Sequence, residues 1–115
     1  MSLRKTSVRR HKQNVLRALK SWVDVLKVNF DIELVILHGS FARNDWNISS
    51  DADVIIVGNI PGDFFIRMSN VKKLWNWIVP MDVFVYTSDE FIYMRDDIFI
   101  KEAMKKSKVL YQKCA

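Results

Sequence analysis

The sequence has very little cysteine, proline or glycine. Of its 115 residues one is cysteine, two are proline and three are glycine. Cys114 has no second cysteine with which to form an internal disulfide, and it has no ligand cluster that would bind zinc. Because no proline- and glycine-rich linker and no repeat divides the chain, residues 1–115 are predicted to form a single domain with little disorder outside the ends.

The sequence also lacks a long apolar run. Nowhere do about 18 uncharged apolar residues follow one another, as a membrane-spanning helix requires. The charged first residues lead into an amphipathic pattern and not into an apolar signal segment. We therefore expect a soluble protein that is not secreted. The single cysteine fits the reducing environment of the cytoplasm, where we expect the protein to reside.

Positive charge exceeds negative charge. Lysine and arginine outnumber the acidic residues by 18 to 13, which gives a net charge of +5. The basic residues gather near both ends, in residues 4–12 and in residues 101–113. Such an excess attracts phosphate groups or an acidic partner without choosing between them. We interpret the two clusters as solvated helix faces and expect no direct nucleic-acid substrate, since aromatic residues for base stacking are not interleaved with them.

Amphipathic helices and short apolar strands account for most of the apolar residues. Apolar side chains recur at helical spacing from Val8 to about Val28, and again from Phe64 to Ile78. Further helices are expected after Thr87 or Ser88, either of which can cap a helix. The predicted strands are residues 33–38, 51–58 and 81–86, with an additional edge strand at residues 109–111. This order predicts the α/β (α+β) class, with a small mixed sheet of three to four strands flanked by helices.

Three aspartates stand where strands of this sheet begin. Asp51 and Asp53 are two residues apart, so on a strand they point to the same face, and Asp82 is the second residue of the third strand. If the second and third strands are neighbours, the carboxylates cluster and repel one another unless a cation neutralises them. Oxygen ligands without histidine or cysteine suit Mg²⁺ or Mn²⁺. In the alternative interpretation, Asp51 caps a turn while Asp53 and Asp82 are solvated.

A glycine and a serine at the end of the first strand indicate a phosphate site. Gly39 lets the backbone come close to a ligand, and Ser40 adds a hydroxyl group. The segment Ser40–Arg43 can form one helical turn whose N–H groups face an anion. His38 could also face a nucleotide, although we favour a strand-end histidine satisfied by the backbone. A phosphate turn beside a carboxylate cluster predicts a site for a metal-bound triphosphate.

The segment "GSFARNDWNISSDADV" (residues 39–54) resembles the signature of the DNA polymerase β-like nucleotidyltransferases, in their minimal branch. That signature is Gly-Ser-x-Ala-Arg, a fixed gap, and Ser-Asp-x-Asp followed by an apolar residue. The chain matches it at Gly39, Ser40, Ala42, Arg43, Ser50, Asp51 and Asp53. The family's third aspartate lies on a later strand, and "MDVFV" (residues 81–85) is similar to its context. At Asn44 the family usually has glycine, and asparagine is the next most tolerant residue for a left-handed turn.

The resemblance implies the nucleotidyltransferase fold, with ATP as substrate and Mg²⁺ or Mn²⁺ as cofactor. It also implies roles residue by residue. The residues that would bind the nucleotide are Gly39, Ser40, Arg43 and Ser50. The residues that would bind the metal ions and carry catalysis are Asp51, Asp53 and Asp82. Arg43 would either pair with phosphate or brace Asp51, and we favour bracing.

Two functions of different class follow from the resemblance. The first is an enzyme that moves a nucleoside monophosphate, AMP from ATP, to a hydroxyl group of a partner protein, as the antitoxin of a pair with a HEPN-type helical toxin. The second is a non-catalytic antitoxin that neutralises its partner by binding alone. The intact carboxylate triplet favours the enzyme. Residues 83–115 are too few for a second domain that would hold the acceptor, so we expect the partner to supply that surface, in a homo- or hetero-oligomer.

Overall fold

The computed structural model describes residues 3–42, 50–76 and 79–114 of the chain. Helices and strands follow one another there in the order that the sequence predicts. In chain order the elements are α1 (Leu3–Asn29), β1 (Asp31–His38), a 3₁₀ turn that we call the Gly-Ser turn (Gly39–Phe41), β2 (Ala52–Asn59), α2 (Phe64–Lys72), β3 (Met81–Tyr86), α3 (Ser88–Met94), α4 (Ile98–Lys105) and β4 (Lys108–Gln112).

The four strands form one mixed sheet in the order β3-β2-β1-β4. Strand β1 runs antiparallel to β2 and to β4, whereas β2 and β3 are parallel. Parallel neighbours need a crossover connection, and α2 lies within it. The predicted mixed sheet is confirmed, and the short strand predicted near the end of the chain forms one of its edges.

Helices α1 and α2 cover one face of the sheet. Val15, Leu19, Trp22 and Leu26 recur at helical spacing, form one stripe of α1 and are all buried. They pack against alternate residues of three strands, which include Val35, Leu37, Ala52, Val54, Ile56, Val83 and Val85. The indole N–H of Trp22 donates to the carbonyl oxygen of Val71 in α2, 3.1 Å away. This hydrogen bond and the shared core tie the two helices together.

Helices α3 and α4 cover the opposite face more thinly. The buried residues of this smaller cluster are Ile36, Ile55, Tyr86 and Ile100. Helix α3 has no buried residue and α4 has one, Ile100. Large apolar side chains of α4, such as Ile98 and Phe99, stay exposed. This thin cover leaves the strand ends on the α4 face accessible.

The two long helices differ in extent from the prediction. Helix α1 begins at Leu3 and not at Val8. The prediction missed the first residues because they lack an apolar stripe, although they include leucine, arginine and lysine, which are good helix formers. Helix α2 ends at Lys72, well before Ile78. Beyond it the chain turns, and the indole N–H of Trp75 donates to the carbonyl oxygen of Val79 at 2.8 Å. Although α1 spans 27 residues, no helix in the described ranges has both the length and the apolar character needed to cross a membrane.

Candidate active site

Three polar side chains form one row across the sheet, where β1 ends and where β2 and β3 begin. His38 of β1 is paired with Asp53 of β2, and Asp53 is paired in turn with Asp82 of β3. Each lies two residues along its strand from an apolar residue packed under α3 and α4, so all three point to that face. Those apolar residues are Ile36, Ile55 and Phe84. The second and third predicted strands are therefore neighbours, as clustering of the aspartates requires.

The Gly-Ser turn meets this row at Gly39. Gly39 has a φ angle of +72°, in the left-handed region that favours glycine. A Cβ atom at this position would overlap the carboxylate group of Asp53. Any side chain at residue 39 would therefore strain the backbone and displace Asp53. Gly39 and Asp53, which belong to different halves of the sequence motif, therefore lie close together in the structure.

The Gly-Ser turn is anchored by its last residue. Phe41 is only 2% exposed and packs into the core on the α1 side of the sheet. The N–H group of Ala42 donates to the carbonyl oxygen of Gly39 at 3.1 Å and closes the turn. Ser40 lies between these fixed points and is half-buried. Where a helical turn is predicted over Ser40–Arg43, the structure has a 3₁₀ turn over Gly39–Phe41, and Arg43 lies outside the described residues.

The residues that lead into β2 are less enclosed. Asp51 stands one residue before the strand and is exposed, whereas Asp53 and Ser50 are half-buried. Asp51 therefore precedes β2 and does not take part in its pairing with the neighbouring strands. Arg43 and Asn44 lie outside the described residues, so the roles predicted for them stay predictions.

Carboxylate oxygens are suitable ligands for a hard divalent cation, but the carboxylates that the structure describes near the row are not yet arranged around one position. Neighbouring strands lie about 4.8 Å apart, so the paired residues Asp53 and Asp82 are close enough for both carboxylates to reach one ion. Asp51 and Asp82 are exposed and have room to reorient. Among the residues that the structure describes, however, no three His, Cys, Asp or Glu side chains are placed so that they could hold a metal ion. Metal binding by the three aspartates stays a prediction, supported by their oxygen donors.

Helix α4 brings an aromatic ring over the row. Phe99 packs edge to face against His38, with ring centres 6.3 Å apart, and against Phe84, with ring centres 5.8 Å apart. Because His38 belongs to β1 and Phe84 to β3, Phe99 lies across β2, the strand between them. Its side chain is still 48% exposed. The sequence pattern did not reveal this neighbour, since it does not say which strand ends α4 covers.

A polar cluster between α2 and α3 fixes the far end of β3. The hydroxyl oxygen of Thr87 accepts a hydrogen bond from the N–H of Glu90, and the carboxylate of Glu90 accepts one from the N–H of Thr87 at 2.8 Å. Glu90 also accepts from the guanidinium group of Arg67 at 2.8 and 3.1 Å. The hydrogen bond from the Thr87 N–H has the largest effect on the pKa of Glu90 and lowers it, and Arg67 lowers it further. Arg67 is 5% exposed, so this cluster locks α2 to α3 beside the strand that carries Asp82.

Solved structures share the fold of this chain. The crystal structure of a protein from Sulfolobus solfataricus, named by inference as a nucleotidyltransferase, has a TM-score of 0.67 and 22% identity, over 90% of this chain and 86% of that one. A toxin-antitoxin crystallised with AMP-PNP has a TM-score of 0.60 and 18% identity, over 84% of this chain and 73% of that one. These likenesses confirm the predicted nucleotidyltransferase fold.

Sequence comparison gives the family. Residues 20–114 match the family described as polymerase beta, nucleotidyltransferase. A protein of Methanocaldococcus jannaschii, named by inference as a protein adenylyltransferase, is 31% identical over 100 residues, which span 85% of this chain and 99% of that protein. The chain therefore belongs to the polymerase β nucleotidyltransferase family, as the resemblance in residues 39–54 predicts.

Proposed function

We propose that the chain is a metal-dependent nucleotidyltransferase that moves AMP from ATP to a hydroxyl group of a partner protein. Membership of the family supports nucleotidyl transfer as the class of reaction. The name of the Methanocaldococcus jannaschii relative supports protein as the acceptor and AMP as the group transferred. The observation that carries the proposal is the packing of Gly39 against the carboxylate of Asp53, because it joins a turn suited to phosphate to a row of carboxylates.

In the proposed transfer, the acceptor oxygen attacks the α-phosphorus of ATP. A bond forms between these two atoms, and the bond from the α-phosphorus to the oxygen that bridges to the β-phosphate breaks. The electron pair of that bond leaves with pyrophosphate. Asp82, which is exposed beside Asp53, either takes the proton of the acceptor hydroxyl or holds the metal ion that activates the attacking oxygen. Asp51, Asp53 and Asp82 would hold Mg²⁺ or Mn²⁺ ions, whose charge would activate the attacking oxygen and neutralise the leaving pyrophosphate.

The Gly-Ser turn is proposed to bind the phosphates. Gly39 has no side chain, so the backbone of the turn can come close to a phosphate oxygen, and Ser40 can donate from its hydroxyl group. Because Phe41 anchors the turn in the core, these groups are held in place before the nucleotide arrives. Ser50 and Arg43 complete the proposed nucleotide-binding set, with Arg43 bracing Asp51.

A partner protein is proposed to supply the acceptor. Asp82 is exposed on β3, which is an outer strand of the sheet, so a hydroxyl group can approach from that side. We take residues 1–115 as one minimal nucleotidyltransferase domain that provides the donor half of the site. The toxin-antitoxin with AMP-PNP that shares the fold supports a toxin as the partner. The specific form of the proposal is a cytoplasmic antitoxin that adenylylates a tyrosine of a HEPN-type toxin.

Binding of MgATP is the first test. At ten times Kd, a ligand that binds only the folded chain adds about 1.4 kcal/mol of stability, which raises Tm by about 5–8 °C for a chain of this size. Asp51→Asn combined with Asp53→Asn should abolish the shift. The same double variant should leave the apo Tm equal or slightly higher, because two neighbouring charges no longer repel. A clear loss of apo stability would mean that these aspartates are structural.

The control is a double variant with the same change in net charge. Asp24→Asn combined with Asp96→Asn removes two exposed carboxylates that lie outside the row, and it should keep the full shift. If millimolar MgATP leaves the Tm of the unmodified chain unchanged, the proposed nucleotide site is wrong.

The transfer itself is tested by mass spectrometry. The chain, Mg²⁺ and ATP are mixed with the protein encoded beside it, and each AMP group transferred to that partner adds about 329 Da. If the partner is bound and inhibited while its mass never changes, the chain is a non-catalytic antitoxin that acts by binding alone. Without a partner the chain should be nearly idle, so rapid turnover of small alcohols or RNA ends would contradict the need for one.

A further inference from the structure

A cavity of about 410 Å³ lies between the end of β1 and helix α4. His38 and Gly39 line one side of it. The lining residues on the α4 side include Phe99, Glu102, Lys105 and Lys106. Because Gly39 begins the Gly-Ser turn, the cavity is continuous with the candidate active site. The function proposed above assigns no role to α4 or to its lysines.

The strand order sets the direction in which a bound triphosphate would lie. From β3 to β1, the row reads Asp82, Asp53 and His38, and the cavity begins at His38. In an in-line displacement the attacking and leaving oxygens lie on opposite sides of the phosphorus. With the acceptor entering from the β3 side and the α-phosphate at the carboxylates, the leaving pyrophosphate points past Gly39 towards the cavity.

The end of α4 supplies positive charge to the cavity. The Nζ atom of Lys105 is 2.8 Å from Oε1 of Glu102, and this hydrogen bond raises the pKa of Lys105 and balances its charge. Lys106 follows the last residue of α4, is exposed, and forms no ion pair within the described part of the chain. The C-terminal carbonyl groups of a helix carry partial negative charge, which repels phosphate. Lys106 therefore makes this wall attractive to an anion.

We propose that the cavity receives the β- and γ-phosphates of the nucleoside triphosphate and that the ammonium group of Lys106 neutralises them. The inference rests on the proposed nucleotidyl transfer. When the bond to the α-phosphorus breaks, its electron pair stays on the bridging oxygen, and negative charge grows on the pyrophosphate. An ammonium group placed there in advance stabilises both the transition state and the leaving group.

The test compares variants of two exposed lysines, Lys101 within α4 and Lys106 directly after it. Lys106→Gln should weaken the binding of MgATP by about 5- to 30-fold, since it removes a charged contact that is partly screened by solvent. Its affinity for AMP, which lacks the β- and γ-phosphates, should change by less than about twofold. Lys101→Gln is the matched control, because Lys101 is exposed on α4 but does not line the cavity. Lys106→Arg should restore most of the MgATP affinity.

A variant of the acidic residue in the cavity should act in the opposite direction. Glu102→Gln releases Lys105 from its ion pair and adds one positive charge to the cavity wall. MgATP should then bind about 2- to 5-fold more tightly, while binding of AMP stays the same. Titration calorimetry of the apo variants measures all of these affinities, and melting curves establish that each variant is folded.

The outcomes separate this inference from the proposed function. If Lys106→Gln and Lys101→Gln bind MgATP equally well, while Asp51→Asn with Asp53→Asn abolishes binding, the lysine inference is wrong and the nucleotide site stands. A loss of AMP affinity as large as the loss of MgATP affinity would also overturn it, because Lys106 would then contact the nucleoside or the α-phosphate. If the unmodified chain does not bind MgATP, both proposals fail together.

Discussion

Gly39→Ala directly tests how the Gly-Ser turn is joined to the carboxylate row. The backbone φ angle of +72° is unfavourable for alanine, at a cost of about 1–2 kcal/mol. The added Cβ atom would also overlap the carboxylate of Asp53. Inserting a methyl group into packed space costs about 1–3 kcal/mol more, so the total loss of stability should be about 2–5 kcal/mol. The side chain of Asp53 has to move, because its backbone is held in the sheet.

Urea denaturation and ligand binding measure the two consequences of this substitution separately. With an m value of about 1.5 kcal/mol/M, a loss of 3 kcal/mol lowers the urea midpoint by about 2 M. The displaced carboxylate of Asp53 is no longer aligned with that of Asp82, so the rise in Tm with MgATP should disappear as well. Binding is measured at a temperature where the variant remains folded.

Gly62→Ala is the matched control for backbone strain. Gly62 also has a positive φ angle, +105°, but it lies in the turn before α2 and outside the carboxylate row. A Cβ atom there would come 2.5 Å from Cγ2 and 2.9 Å from Cβ of Ile66, so this variant, like Gly39→Ala, combines an unfavourable φ angle with a steric overlap. This variant should lose a similar amount of stability, about 2–5 kcal/mol, but keep its response to MgATP. If Gly39→Ala behaves in the same way, or is as stable as the unmodified chain, the Gly39–Asp53 contact does not hold the site together.

Three further predictions concern the framework that holds β3. Arg67→Ala should lower stability by about 2–3 kcal/mol in urea denaturation, because it removes a buried side chain and its ion pair, and Arg67→Met should lose less than half as much because it refills the space. In the folded state the N–H of Thr87, and to a smaller extent Arg67, lowers the pKa of Glu90. The stabilisation by the ionised carboxylate of Glu90 is present above its unfolded pKa of about 4.5 and is lost as the pH falls through the folded pKa. The free energy of unfolding of Glu90→Gln should therefore fall less steeply below about pH 4.5 than that of the unmodified chain; parallel curves of stability against pH would contradict this. Trp22→Phe should cost about 1–3 kcal/mol by thermal melting, since it removes the hydrogen bond to Val71 and part of a buried ring; an unchanged Tm would show that α1 and α2 do not depend on it.

Local elements were predictable from the sequence because their signals are local. Strand β3 spans Met81–Tyr86, as its apolar run predicts, and Thr87 caps α3 as one of the two predicted candidates. The turn that begins at Gly39 follows from a glycine at the end of an apolar strand. Alternation and cap chemistry involve only a few neighbouring residues, so each can be recognised without the rest of the fold.

Relations between elements were not predictable in the same way. Apolar runs of buried strands look alike, so their pattern does not encode the order β3-β2-β1-β4. The motif indicated that Gly39 and Asp53 act together, but not that the glycine is needed to leave room for that carboxylate. The sequence did not single out Phe99 or Lys106, since Phe99 fits the apolar stripe of α4 and Lys106 belongs to a basic cluster that is typical of a solvated helix end.

The two sides of the candidate site differ in how firmly the fold holds them. On the β1 side, Phe41 is buried and Gly39 packs against Asp53, so the turn and the carboxylate restrict each other. On the β3 side, Asp82 is exposed on an outer strand. Under the proposed function, a fixed donor side would set the position of the α-phosphorus, whereas an open acceptor side would leave the choice of hydroxyl group to the surface that docks there. Under the proposed function, selectivity for the nucleotide resides in this chain and selectivity for the acceptor resides in the partner, so changing the partner should change which hydroxyl group is modified.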